Sequence, residues 1–419
     1  MDRFEPARVT VIDLAEPLPP LPAEGPDGRW HQRVVALVRV AGAPIGVADI
    51  DIGTGLGPAG VAKALWDALG PEIRAHRNDP GLTALPVSGF SRPPQPRGAD
   101  RPASVIIATR DRPNELARCL TSLLALDYGA FDIVVVDNAP SDDRTRDLVA
   151  QFTFGRTEIR YVREPRPGLA RAHNAARTAV TGEIVAITDD DVVVDRGWLR
   201  RLVEAFSVID DVGAATGMIF PVELETATQE WTDVHAAYNK GYERQVIDLA
   251  DGHDPLLPWA TGTVGSGANM AFSVAALDAI GWFDDALGAG TPARGGDDLA
   301  AFHDVLLAGY RIVYEPAAIV LHRHHRDADV VRRLAFSYGV ALSAHLTRSM
   351  LDRPGSLVAL VPNLPAGVRH GLRTTRTSSG DAVASLAGAG WRQRAGMLFG
   401  PWSYVRSRRW ARQTTGAAA

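Results

Sequence analysis

The stretch Gly182-Glu-Ile-Val-Ala-Ile-Thr-Asp-Asp-Asp191 decides how this chain is read. An apolar run, Ile184 to Ile187, ends abruptly in three carboxylates. The run is short, flanked by Gly182 and polar residues, and lacks polar alternation. Those are the marks of a central strand of a parallel sheet, covered on both faces. Asp189, Asp190 and Asp191 then stand at its carboxyl end, where open α/β sheets bind ligands. Adjacent carboxylates repel one another, so a cation is their natural partner, and oxygen ligands suit Mg2+ or Mn2+. Taken alone, the triplet reads equally well as a solvated acidic turn that caps the next helix.

Upstream, the same grammar repeats. Val105 to Ala108 reads as a strand, and Pro113 opens a helix with Leu116, Cys119, Leu120, Leu123 and Leu124 on one stripe. Cys119 on that stripe is core. Ile133 to Val136 is a second strand ending in Asp137-Asn138, followed by a helix from about Asp143 to Phe152. Ile159 to Val162 is a third, and Pro167-Gly168 introduces a helix through about Ala179. Strands alternating with helices on short loops predict a parallel, doubly wound sheet with right-handed crossovers. Downstream, Trp198 to Phe206 is helical and Val212 to Phe220 is a strand. Residues 223 to 258 are polar and aromatic without clean periodicity, an insert beside the site. A glycine-rich turn, Gly262 to Asn269, and then Gly295-Gly-Asp-Asp298 precede a helix with Leu299, Phe302, Leu306 and Leu307. Two short strands, Ile312 to Tyr314 and Ile319 to Leu321, lead into His322-Arg-His-His-Arg326. Residues 328 to 351 form a long amphipathic helix.

At the other end, residues 1 to about 30 contain a Pro-rich linker with Pro17, Pro19, Pro20 and Pro22. Val34 to Val40 and Ile45 to Ile52 form a hairpin, and Pro58 opens a helix with Val61, Leu65, Ala68 and Leu69 on one face. Residues 88 to 102, rich in proline and arginine, form a second linker. The chain divides into an α+β accessory module (1–100), an α/β catalytic segment (101–327) and a helical, basic C-terminal extension (328–419).

Composition sets outer limits. Hydrophobic residues make up 46% and charged residues 22% of the 419, which describes a globular chain and not a disordered one. A formal net charge of −5 gives no overall electrostatic case for nucleic acid. One cysteine excludes an intramolecular disulfide; with no signal peptide at the N-terminus, a cytoplasmic location is expected. No apolar run reaches the roughly 20 residues that cross a bilayer. Past Asp381 there is no acidic residue, and residues 391–412 interleave arginines with Trp391, Leu398, Phe399, Trp402, Tyr404 and Trp410. Such a segment can lie on an anionic membrane surface, which would place the protein peripherally at the inner face. The competing reading is a solvated basic tail with aromatics docked on the domain.

Asp137, the Asp189–Asp191 triplet, Asp297-Asp298 and His322 thus fall at or beside strand ends. Here a resemblance becomes plain. Ser104-Val-Ile-Ile-Ala-Thr-Arg-Asp-Arg-Pro113, Val134-Val-Val-Asp-Asn138, Gly168-Leu-Ala-Arg-Ala-His-Asn174, Glu183 to Asp191, and Gly296-Asp-Asp298 with Gly309-Tyr310 follow the order and spacing of glycosyltransferase family 2, of bacterial type. The resemblance covers residues 102 to 325 and implies a GT-A fold, Rossmann-like, and an inverting, metal-dependent transfer from a nucleotide-diphosphate sugar to an acceptor hydroxyl.

By resemblance, Thr109 and Arg110 line the nucleotide pocket and Asp137 meets the base or ribose. Arg171, Asn174, Asp189 and Asp190 contact the donor, and Asp191, with Asp189 and His322, binds Mn2+ or Mg2+. His324 is an alternative to His322. Asp298 is the expected base, with Gly267, Asn269, Asp297 and Trp231 on the acceptor and diphosphate side. The family often has Arg where this chain has His173, and a Glu-Asp pair where it has Asp297-Asp298. Two other classes fit a carboxylate-lined sheet edge. A nucleotidyltransferase would release pyrophosphate, and a glycan-binding protein with a vestigial site would release nothing.

Overall fold

The computed structural model describes residues 4–91, 101–153, 155, 157–235, 238–250, 256–355 and 389–416. The second linker therefore lies largely outside the described residues, as does the middle of the C-terminal extension.

The N-terminal segment holds β1 (Ala7–Asp13), β2 (Leu21–Pro22), β3 (Arg33–Val40), β4 (Ala43–Asp51), β5 (Gly55–Leu56) and α1 (Pro58–Arg77). The hairpin forms as expected, with β3 and β4 antiparallel. Its turn residues, Ala41 (φ 50°) and Gly42 (φ 89°), are both left-handed, the backbone that matches strand twist in a two-residue hairpin. Asp13 fixes this turn by accepting from the N–H groups of Ala41 at 2.8 Å and Gly42 at 3.0 Å. One strand was not read from the sequence: ahead of the prolines, β1 pairs in parallel with β3 from Ala7↔Arg33 to Asp13↔Arg39. Its β-branched Val-Thr-Val-Ile run was masked by the prolines that follow it. On α1, Ala68 faces solvent, while Ala62 and Ile73 join Val61, Leu65 and Leu69 inside. The helix bends at Leu69 (φ −133°), ahead of Pro71.

In the α/β segment, β6 (Ala103–Thr109), α2 (Pro113–Leu123), β7 (Phe131–Asn138), α3 (Arg144–Phe152), β8 (Ile159–Glu164), α4 (Leu169–Ala175) and β9 (Ile184–Asp189) follow in sequence. Then come β10 (Val192–Val194), α5 (Trp198–Ala205), β11 (Val212–Pro221), α6 (Ala227–His235), β12 (Gln245–Ile247), β13 (Asn269–Ser273), α7 (Val274–Ile280), α8 (Asp297–Leu307) and β14 (Arg311–His322). They make one sheet in the order β10-β14-β11-β13-β9-β6-β7-β8, with β12 on β14. The parallel block predicted from the apolar runs is β9-β6-β7-β8. Alternate residues of β6 serve opposite layers. Val105 and Ile107 pack with Leu116, Leu120 and Trp198, whereas Ile106 packs with Ala170, Phe272 and Phe302. Each fully buried Val, Ile or Phe there contributes roughly 1.5–3 kcal/mol.

Two features depart from the reading of the sequence. Leu124, expected on the α2 stripe, is the exposed C-cap of that helix. The two short strands expected at 312–314 and 319–321 are halves of one, β14. Its register against β11 jumps from Gly217↔Glu315 to Met218↔Ile319, and the bulge absorbs Pro316, which has no N–H for the ladder.

Both flanking segments share cores with this sheet. Ala7, Val35 and Leu37 of the N-terminal module pack on Met218, Phe220 and Ile319. The C-terminal segment folds as α9 (Ala328–Asp352) and α10 (Ala389–Gly416), which pack along each other. Their backbones touch: a Cβ on Gly339 would lie 1.9 Å from the Gln393 carbonyl oxygen, and one on Gly396 would lie 2.1 Å from that of Phe336. Ala344 of α9 and Tyr404 and Ala411 of α10 close a small core with Leu287, Ala293 and Ala300. Among the described residues, no helix is long and apolar enough to cross a membrane.

Candidate active site

Parallel register brings the carboxyl ends of the central strands level. Thr109 is paired with Asp137, and Ala108 with Asp189. Asp189 ends β9, and Asp190 and Asp191 form the tight turn into β10. Antiparallel pairing of β10 with β14 sets Val192 opposite His322, so the chain folds Asp191 back toward that imidazole. One ligand atom each from Asp189, Asp191 and His322 fits within 4.8 Å of the others. His322 Nε2 lies 3.4 Å from Asp191 Oδ1, and this oxygen is buried without a hydrogen-bond partner. Burial, with the charges of Asp191 and Asp190, pushes the Asp189 carboxyl well above the usual carboxylate range. Burial pulls His322 down to about 4, so the imidazole is neutral near pH 7 and its lone pair is available. The triplet is therefore a half-buried acidic cluster with an unpartnered oxygen, and with His322 its donor set suits a divalent cation. His324 does not join the cluster: its Nδ1 lies 3.3 Å from His322 Nδ1 and its Nε2 3.4 Å from Asp233, so it backs the other ring nitrogen.

Asp190 turns the opposite way. It accepts from Thr109 Oγ1 at 2.7 Å and from Arg112 Nη1 at 3.2 Å. Arg112 also reaches Asp191 Oδ2 at 3.3 Å. This is a residue that the sequence reading passed over in favour of Arg110, whose own half-exposed side chain sits 3.8 Å from Asp111. Both arginines lie past the end of β6, where Asp111 takes a left-handed backbone (φ 56°), so strand alternation could not separate Arg112 from Arg110. Asp137 is fully buried, and its Oδ2 accepts from the Tyr161 hydroxyl at 2.8 Å while Oδ1 has no partner. Burial raises its pKa. Neighbouring Asn138 accepts from Gly168 N–H at 3.0 Å and so pins the entrance of α4.

A second group enters from the far side of the sheet. β13 runs antiparallel to β9, so its entry loop, not its exit, lies at the triplet. Gly267 in that loop donates its N–H to Asp298 Oδ2 at 2.9 Å, and Leu299 N–H holds Oδ1 at 2.8 Å. Asp297 is buried, 3.8 Å from His173 Nδ1. Burial, then the Asp298 charge, pushes Asp297 up to about 7, and Asp298 is raised too, mainly by burial. The charges of both add to the upward shift of Asp189, so the two clusters share one field. His173, where arginine is frequent in the resembled family, is itself buried and pulled down to about 4.

Other expected site residues are held by protein partners. Arg171 is 1% exposed; its Nη2 donates to the Ala411 carbonyl at 2.8 Å and its guanidinium stacks 4.6 Å from the Trp410 ring. Asn174 donates to the Phe283 carbonyl and to Asp285, each at 2.8 Å. Asn269 donates to the carbonyls of Met218 and Ala318 and accepts from Trp198 Nε1, all at 2.8 Å. Trp231 stacks on His235 of its own helix at 4.3 Å. Two more side chains come to the site: Lys240, which sequence reasoning missed, and Tyr238, one of the aromatics of the insert. Lys240 donates to the Gly262 carbonyl at 2.7 Å; burial pulls its ammonium down to about 8, and the Asp298 charge opposes that pull. Tyr238 stacks on His324 at 5.4 Å, and its hydroxyl lies 3.5 Å from that of Tyr338 on α9.

Comparison with known proteins adds to this geometry. The profile of glycosyl transferase family 2 matches residues 104–281. The pre-mycofactocin glycosyltransferase of Mycobacterium tuberculosis is 28% identical over 254 residues, 60% of this chain and 49% of that protein. The chain thus spans about half the length of that relative. The succinoglycan biosynthesis protein ExoM of Rhizobium meliloti is 30% identical over 224 residues, 51% of this chain and 64% of that protein. A solved mannosyltransferase, PcManGT from Pyrobaculum calidifontis in complex with GDP-Man and Mn2+, aligns at a TM-score of 0.48 and 19% identity over 72% of this chain and 87% of that one. With the carboxylates of the triplet and of Asp297-Asp298 on one sheet edge inside and just beyond the matched segment, the profile and the curated relatives make the α/β segment of this chain similar to glycosyltransferase family 2.

Proposed function

We propose that the protein transfers a sugar from a nucleotide-diphosphate sugar to an acceptor hydroxyl with inversion at the anomeric carbon. The observation that carries this is Asp191 Oδ1, buried without a partner beside a neutral His322. Asp191, Asp189 and His322 would hold Mn2+ or Mg2+, which supplies Lewis-acid stabilisation of the leaving diphosphate. Thr109 and Arg112 occupy both oxygens of Asp190, and Arg112 also reaches Asp191, so Asp190 would fix the Arg112 guanidinium beside the donor. Asp137, with its unpartnered Oδ1, is assigned to the base or ribose.

Asp298 is the base. Its two oxygens are oriented by the Gly267 and Leu299 N–H groups, and its raised pKa brings its basicity closer to neutral pH. The acceptor oxygen attacks the anomeric carbon and gives its proton to Asp298. The bond from that carbon to the diphosphate oxygen breaks, and a nucleoside diphosphate leaves. Asp297, buried behind Asp298, positions it, and Lys240 is placed to meet negative charge developing on this side. Arg171, Asn174 and Asn269 are assigned to holding the site's walls, on the partners given above. Peripheral contact with the inner face of a membrane through residues 391–412, with a lipid-borne acceptor, belongs to the same reading.

The test follows transfer from a panel of nucleotide-diphosphate sugars with Mn2+. Asp298→Asn should lose about a hundredfold or more in turnover with donor binding retained. Asp191→Ala should remove the metal dependence of donor binding. Release of pyrophosphate in place of nucleoside diphosphate, or normal turnover by Asp298→Asn, would overturn the assignment.

A further inference from the structure

Helix α10 carries two stripes. Gly396, Gly400, Ser403, Ser407 and Ala411 are buried and form the face laid on α9. Trp391, Leu398, Trp402 and Val405 recur at the spacing of a single face at about 3.6 residues per turn. That face is the opposite one, and the four side chains are 70%, 82%, 62% and 41% exposed. Apolar side chains so exposed need an occupant, since a solvated helix would carry polar residues there.

The rims of the stripe name the occupant's charge. Arg394 and Arg412 project along one side of it and Arg392 and Arg406 along the other, all exposed. Between Ala389 and Gly416 there is no aspartate or glutamate. An apolar stripe edged by arginines and ended by tryptophan is the pattern of a helix lying in the plane of an anionic lipid interface. The helix is fixed for this from behind. Its glycines lie against the α9 backbone, and Arg171 grips its last turns through the Ala411 carbonyl and the Trp410 ring. On the other side of α9, Ala341 backs the turn before the catalytic helix: a Cβ on Gly296 would lie 2.9 Å from the Ala341 carbonyl oxygen. A single helix thus separates the stripe from the turn that delivers Asp297 and Asp298.

We infer that the outer face of α10 is a seat for an anionic lipid bilayer, in which Trp391, Leu398 and Trp402 enter the interface and the flanking arginines meet lipid phosphates. This rests on the peripheral contact proposed above and adds the face, the lipid charge and the anchoring side chains.

The full chain is mixed with vesicles of phosphatidylcholine with or without phosphatidylglycerol and sedimented. Binding is expected on the anionic vesicles, weakening with salt, with a blue shift of tryptophan fluorescence. The variant Trp391→Ser/Leu398→Ser/Trp402→Ser should lose about tenfold or more of the partition coefficient. Arg394→Gln/Arg406→Gln/Arg412→Gln should lose the preference for anionic over neutral vesicles. These side chains are exposed, so both variants should keep the parent melting temperature. Asp298→Asn should bind vesicles as the parent does, which separates this inference from the catalytic one. Equal sedimentation with both vesicle types, unchanged binding by the triple serine variant, or a self-associated chain that leaves vesicles unbound would each overturn it.

Discussion

At the scale of single residues, the chemistry turns on carboxylates whose surroundings differ. Asp298 is raised by burial but held by two N–H groups, while Asp297 beside it is pushed to about 7 by burial and by Asp298 itself. The base must be ionised to accept a proton. Transfer should therefore fall as pH drops through a value above the ordinary 3.8 of an aspartate, and flatten above it. A pH–rate profile measured at saturating metal would show this acid limb, and its persistence in an Asp297→Asn variant would tie it to Asp298 and not to its neighbour. Stability runs the other way. Asp297 binds its proton more tightly folded than unfolded, so between about 4 and 7 its contribution to stability diminishes as pH rises. Melting temperatures of the metal-free protein across that window check the sign.

At the scale of elements, β13 is tied into the molecule by one side chain in addition to its ladders with β9 and β11. Asn269 uses both amide protons and its oxygen on three different elements, bonding Met218 in β11, Ala318 in β14 and Trp198 in α5. Asn269→Ala would strand two buried carbonyls and an indole N–H, at a cost of about 2–4 kcal/mol, readable by urea unfolding with an unchanged m-value. This residue shows where sequence reasoning stops. The strands of the parallel block were legible because buried strands are short apolar runs, and the triplet was legible because charge ends such a run so visibly. Asn269 stood out only as a polar residue after a glycine-rich turn, and its spacing resembled a ligand contact. What distinguishes a clamp from a contact is where three remote elements lie, which no local pattern records. Arg112 was missed for a similar reason: two arginines flank Asp111, and only the strand-end geometry tells them apart. β1 was lost among the prolines after it, and the bulge of β14 looked like a gap between two strands.

At the scale of the whole molecule, the N-terminal module keeps a core of its own around Val38 and Leu65, and each flanking segment also shares a core with the α/β segment. The N-terminal sheet caps β11 and β14 through Ala7, Val35 and Leu37, and α10 closes over Arg171, which is 240 residues away in the chain. A guanidinium so deeply buried depends on that cover. Trp410→Ala would remove the ring beneath it and is expected to cost about 2–3 kcal/mol. Differential scanning calorimetry should show a single shifted transition, because the C-terminal pair shares a core with the residues around Asp297.

The reversed direction of β13 has a consequence for how such a protein can diversify. Because this strand runs against β9, as β10 runs against β14, the loop that enters it lies at the triplet, whereas β6, β7 and β9 reach that edge with their exits. Donor and acceptor halves of the pocket are therefore written in different stretches of the gene. On the proposed reading the donor half follows β6, β7 and β9, while Lys240 and Gly267, before β13, belong to the acceptor half. If that reading holds, exchanging the loop that enters β13 for a foreign one should change acceptor choice and leave sugar-nucleotide preference intact, a modularity that arises from strand polarity.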